Sequence, residues 1–116
     1  MKHVLIVDDE SEIASLIAEA LDGYELTTAE NGAQALLRTA RAATIDLVIT
    51  DFSMPYMSGA ELVSRVRANH PEAKMLLITG FPEFLDMKAV GKDACLVKPF
   101  AMSSLRRTVE GLIGTP

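Results

Sequence analysis

The polar residues with chemistry to offer stand where apolar runs end. "HVLIV" gives way at once to Asp8, Asp9 and Glu10, "LVI" to Thr50 and Asp51, "MLLI" to Thr79 and Gly80, and "CLV" to Lys98 and Pro99. Carboxylates brought together repel one another, and burial deepens the conflict by disfavouring the charged form. A hard divalent cation resolves it. Mg²⁺ takes oxygen ligands at ~2.1 Å, usually one or two carboxylates completed by waters and phosphate oxygens. An ammonium such as that of Lys98 pairs with a carboxylate or a phosphoryl oxygen, and a hydroxyl such as that of Thr79 donates to another. Metal, cation and hydroxyl around a carboxylate are the parts needed to place an anionic phosphoryl group on it. Singly, each residue has an ordinary reading: Asp8 or Asp9 as a helix cap, Lys98 as a solvated surface cation, Thr79 as a strand-end residue. Four strand ends so furnished are far more specific than any one of them.

That chemistry requires elements that carry the four ends to one edge. Residues 4–7 are continuously apolar, as in a strand buried on both faces. Ile13, Leu16, Ile17, Ala20 and Leu21 then recur at helical spacing, with Ser11 as the expected N-cap and Gly23 as the stop. "YELTTA" predicts a second strand, and "NG" at 31–32 turns the chain into a helix through Leu36, Leu37 and Ala40. Residues 45–50 form the third strand, and "SMPYMSG" is a loop. Leu62, Val63 and Val66 mark a third helix closed by His70 and Pro71. Residues 74–79 and 94–97 are the fourth and fifth strands, with a short, poorly patterned helix expected at about 83–91 between them. Met102, Leu105, Val109 and Leu112 give a last helix one apolar face. Strands alternating with helices predict a parallel sheet covered on both faces, and in such sheets ligands bind beyond the carboxyl ends of the strands.

Composition excludes several other chemistries. The chain has 116 residues, 49% of them hydrophobic, which suits one domain with a sizeable core. No apolar run approaches the ~20 residues of a membrane helix. Met-Lys-His leads straight into the first strand, so no signal peptide and a cytoplasmic setting are expected. The single cysteine, Cys95, excludes an internal disulfide and a cysteine-built zinc site. A net charge of −5 with few basic clusters argues against direct nucleic-acid binding and favours cations or basic partners. No GxGxxG or GxxxxGK motif offers a nucleotide cradle.

In order, "VLIVDDE", "AENGAQAL", "DLVITDFSMPYMSGAEL", "LLITG" and "LVKPF" resemble the receiver domain of two-component response regulators, of the single-domain, chemotaxis-regulator kind, over nearly all of residues 1–116. The resemblance implies a doubly wound, flavodoxin-like parallel sheet of five strands in the order 2-1-3-4-5, with helices on both faces. It implies a phosphoacceptor switch, not a turnover enzyme. Asp51 would take a phosphoryl group from the phosphohistidine of a sensor histidine kinase or phosphotransfer protein and so change the surface shown to a downstream protein target. It implies Mg²⁺, held by Asp8, Asp9, Asp51 and the backbone carbonyl of Ser53. Thr79 would move to the phosphoryl oxygen, Lys98 would bind the same group, and the Lys98–Pro99 bond would be cis. Ser53 and Phe81, two residues past Asp51 and Thr79, would flank the path of hydrolytic water. A phenylalanine cannot orient water, so Phe81 is expected to slow loss of the phosphoryl group.

Two departures fall on the output side. Cys95 stands where the family often has an aromatic, and the stretch from Thr79 to Lys98 is a few residues shorter than usual, so the fourth helix is expected to be short or irregular. With Cys95 a bystander, residues 80–92 are the expected switch segment. A degenerate receiver, acting as a phosphorylation-independent interaction module, is the alternative; the intact Asp8, Asp9, Asp51, Thr79 and Lys98 count against it. A phosphatase of the haloacid dehalogenase type needs Asp-x-Asp at the first strand, which Asp8-Asp9-Glu10 does not supply. His3 and His70 read as structural or exposed, Arg106 and Arg107 as a solvated helix face, and Phe81 and Phe84 as core residues or a cover for the site.

Overall fold

The computed structural model describes residues 1–81 and 94–116. Five strands, β1 (His3–Val7), β2 (Glu25–Ala29), β3 (Leu47–Asp51), β4 (Lys74–Thr79) and β5 (Ala94–Val97), pair in parallel in the order β2-β1-β3-β4-β5. This is the expected doubly wound sheet. The described residues include four helices: α1 (Ser11–Ala20), α2 (Gly32–Arg41), α3 (Gly59–Asn69) and α4 (Met102–Ile113). The helix expected at 83–91, with Phe84 and most of the expected switch segment, lies outside the described residues.

Strand side chains alternate between the two faces, so each central strand feeds two cores. Leu5, Val7, Val48, Met75 and Leu77 pack against Leu62, Val63 and Val66 of α3 and Ala35 of α2. Val4, Ile6, Leu47, Ile49, Leu76 and Ile78 pack against Ala14 and Ile17 of α1 and Leu105 and Val109 of α4. Full burial on both faces accounts for the unbroken apolar runs of β1, β3 and β4, whereas the edge strands β2 and β5 are partly exposed.

Three local expectations are corrected. The N-cap of α1 is Glu10, not Ser11, and no side chain caps it. Just before the helix, Asp8 Oδ1 accepts the N–H of Glu10 itself at 2.9 Å. In α2 the buried face is Gly32, Ala35 and Thr39, while Leu37 is 60% exposed and Ala40 is also exposed. The helix packs through Gly32, Ala35 and Thr39 with the partly buried Leu36 beside them, and Leu37, two positions from both Ala35 and Thr39, points about 200° away from those two. A Cβ at Gly32 would lie 2.5 Å from Met57 Sδ, a sign of how closely that face approaches the loop before α3. Arg106 is not a solvated side chain. Its Nη1 donates to the Ala20 and Asp22 carbonyls at 3.0 Å each, and its guanidinium lies 5.8 Å from the Tyr24 ring centroid. It thereby closes the carboxyl end of α1 and ties it to α4. His3 and His70 are structural as expected. His3 is wedged between the Thr44 carbonyl and Thr27 Oγ1, and His70 Nε2 donates to the Thr39 carbonyl at 2.8 Å.

Candidate functional site

Backbone hydrogen bonds prolong the sheet just beyond its strands and fix where the polar residues stand. The Asp8 N–H donates to the Ala29 carbonyl at 3.1 Å, and the Phe52 N–H to the Ile78 carbonyl at 2.9 Å. Asp8 is thus anchored at the end of β1 and Asp51 at the end of β3. The side chain of Asp8, just past the end of β1, is buried, and that of Asp9, one residue further on, is exposed. One carboxylate oxygen from each of Asp8, Asp9 and Asp51 lies within 4.8 Å of the others. Three acids drawn from two distant parts of the chain therefore share one pocket.

Lys98 reaches the same point from β5. Its Nζ lies 2.9 Å from Asp51 Oδ2, and its backbone N–H donates to the Thr79 carbonyl at 2.8 Å. The Lys98–Pro99 peptide is cis, as the resemblance implied. The other oxygen of Asp51, Oδ1, accepts the Ser53 N–H at 3.2 Å, so each carboxylate oxygen has a donor. Thr79 is buried at the end of β4, one position past the Asp51–Ile78 pairing, and its Oγ1 accepts the Phe81 N–H at 3.0 Å. That bond uses an oxygen lone pair and leaves the hydroxyl proton available. Phe81 itself is 64% exposed, so it is not a core residue. Cys95 is half-buried in β5, in register with Leu77.

The electrostatics fit this geometry. Burial, first of all, pushes the Asp8 carboxyl above its ordinary 3.8; the charges of Asp51 and Asp9 add to it, and the Glu10 N–H and Lys98 oppose it. The hydrogen bond to Asp51 lifts the Lys98 ammonium above its ordinary 10.5, helped by the charges of Asp51, Asp8 and Glu10 and opposed by burial. The site holds more negative charge than one lysine offsets. Its donors are all hard oxygens, with neither sulfur nor imidazole in the cluster, which is the set Mg²⁺ prefers.

The structure thus brings Asp8, Asp9, Asp51 and Lys98 together and sets Ser53 and Thr79 beside them. Sequence reasoning missed Gly59. A Cβ there would meet the Asp51 carbonyl oxygen at 2.6 Å and Phe52 Cα at 2.9 Å, and the Gly59 N–H donates to the Phe52 carbonyl. Glycine lets α3 begin directly against the end of β3 and brace Asp51 from behind. In the sequence it stands in a turn-forming loop and inside one of the stretches that carry the resemblance, and neither signal separates a glycine for turning from one for close approach. Tyr56, with φ +68° and a fully exposed ring, was missed as well, because bulky residues seldom adopt that backbone.

A family model for the response regulator receiver domain matches residues 4–110. The chain belongs to this family. The receiver is 34% identical over 120 residues to the chemotaxis protein CheY1 of Helicobacter pylori, covering 97% of each chain. Chemotaxis protein CheY4 of Vibrio cholerae superposes with a TM-score of 0.88 at 34% identity, over 97% of this receiver and 98% of that chain. Response regulator TrrA of Thermotoga maritima, solved in complex with Mg²⁺–BeF, superposes with a TM-score of 0.83 at 38% identity, over 97% and 99%. Other curated relatives, transcriptional regulatory proteins, are longer, and the receiver spans 49% of their length. Receiver domains are signalling switches that work with histidine kinases and downstream targets, and they bind Mg²⁺ at an acidic pocket. Among the described residues no helix is long and apolar enough to cross a membrane.

Proposed function

We propose that residues 1–116 act as one phosphoacceptor switch, in which Asp51 takes a phosphoryl group from the phosphohistidine of a sensor histidine kinase or phosphotransfer protein in the cytoplasm. The observation that carries this reading is the 2.9 Å contact of Lys98 Nζ with Asp51 Oδ2 inside a cluster of three carboxylates. Asp51 Oδ attacks phosphorus, an O–P bond forms, and the N–P bond breaks with its electron pair returning to the imidazole nitrogen. Asp8, Asp9, Asp51 and the Ser53 carbonyl would hold Mg²⁺, which supplies positive charge for the carboxylates and the arriving phosphoryl oxygens. Lys98, raised in pKa and charged throughout the physiological range, is placed to pass from Asp51 to a phosphoryl oxygen. The Thr79 hydroxyl proton is free to donate to another oxygen, and moving there would give up the bond from the Phe81 N–H. That exchange is a local two-state element through which occupancy of Asp51 would alter the surface offered to a target.

Phosphotransfer from a radiolabelled histidine kinase tests the reading. Label should move to the parent protein and not to Asp51→Asn. A parent that never accepts label from any kinase or small phosphodonor would instead support a phosphorylation-independent interaction module.

A further inference from the structure

The outward faces of α1 and α2 carry opposite charges around an exposed leucine. On α1, Leu16 is 47% exposed and lies between Glu12 and Glu19, four residues before it and three after. On α2, Leu37 is 60% exposed, next to Arg38 and one turn from Arg41. All four charged side chains are exposed, and none makes a hydrogen bond or ion pair among the described residues. Elsewhere the arginines are engaged: Arg65 with Glu61 at 3.1 Å, Arg106 with Glu110 at 3.7 Å and with two carbonyls. In a chain of net charge −5, α2 has two cations and no acid, while α1 has two acids and no cation.

We infer that these two faces recognise each other between copies of the chain, α1 of one molecule docking on α2 of the next. Antiparallel seating of Leu16 on Leu37 sets Glu12, four residues before the one, opposite Arg41, four after the other. It also sets Arg38 opposite Ser15, about one turn from Glu19. Leucine contact supplies the apolar centre and the charges fix partner and direction. The helices lie on opposite sides of the sheet, with α1 packed in one core and α2 in the other, so the contact is heterologous and propagates from molecule to molecule. A single helix pair buries less than the ~1,600 Å² of a standard stable interface, so the association is weak and depends on concentration and salt.

Sedimentation velocity over a wide concentration range at low ionic strength tests this, with circular dichroism as a check on folding. Glu12→Arg and Arg41→Glu should each weaken self-association about tenfold, since a reversal replaces attraction with repulsion. Leu37→Ser should weaken it as well. An equimolar mixture of Glu12→Arg and Arg41→Glu should recover association. The arginine introduced on α1 of one variant then meets the glutamate introduced on α2 of the other, and at the alternate contact the native Glu12 meets the native Arg41. A parent that stays monomeric at every concentration, or association indifferent to either reversal, overturns the inference. Failure of the mixed variants to recover overturns the assigned pairing. Arg41→Glu and Leu37→Ser lie on α2 away from the carboxylate cluster, so their effect on association is independent of whether Asp51 accepts a phosphoryl group.

Discussion

At the scale of the residue, the site is a charge imbalance held in place. Asp8 is buried next to two other carboxylates, and its raised pKa means that its ionised form costs the folded state stability. The favourable contribution is therefore complete below the ordinary value of 3.8 and is lost as pH rises through the raised folded value. Without divalent cations, Asp8→Asn should melt several degrees above the parent at neutral pH while keeping an oxygen for the Glu10 N–H. That advantage should shrink as the solution is acidified toward pH 3.8. Paired thermal melts across this range check it; an advantage that does not vary with pH would assign it to packing instead. Phe81 makes a kinetic prediction. Exposed beside Thr79 and unable to orient water, it should prolong the phosphorylated state, so Phe81→Ala should lose its phosphoryl group several-fold faster than the parent. Loss followed by intact mass measures this, and an equal or slower rate in the variant removes Phe81 from that role.

At the scale of the element, strand ends deliver the chemistry and loop backbone braces it. Gly59 is the clearest case, because a Cβ would have to displace backbone at Asp51 and Phe52. Gly59→Ala should cost about 2–3 kcal/mol, in the range of overpacked sites, and should also slow phosphoryl acceptance by shifting Asp51. Chemical denaturation and labelling of the same sample test both halves, and a change of less than about 0.5 kcal/mol would show that the α3 start can yield. The five strands and Asp8, Asp9, Asp51, Thr79 and Lys98 were legible in the sequence because doubly buried strands are written as unbroken apolar runs, and polar residues at their ends stand out. Helix faces were less legible. Leu37 and Ala40 suggested the inner side of α2, yet the close contact with Met57 favours the side bearing Gly32 and Ala35. The cap of α1 was misplaced by one residue because Ser11 is of a capping type, whereas the helix already begins at Ser11 and no side chain caps it. The role of Arg106 lies in contacts with carbonyls more than eighty residues away in sequence, which helical periodicity does not encode.

At the scale of the whole molecule, the sheet turns four separate strand ends into one anionic pocket and stores their repulsion in the folded state. A cation that binds this pocket binds the folded chain and not the unfolded one, so Mg²⁺ should raise the melting temperature progressively with concentration. Asp9→Ala should remove most of that dependence; a parent melting temperature indifferent to millimolar Mg²⁺ would argue against the pocket as a metal site. The most direct measurement of the central claim is the intact mass of the protein incubated with acetyl phosphate, with Mg²⁺ or with chelator, alongside Asp51→Asn. One added phosphoryl group on the parent with Mg²⁺, and none with chelator or in Asp51→Asn, is the predicted result. An unmodified parent, or equal labelling of Asp51→Asn, would contradict Asp51 as the acceptor.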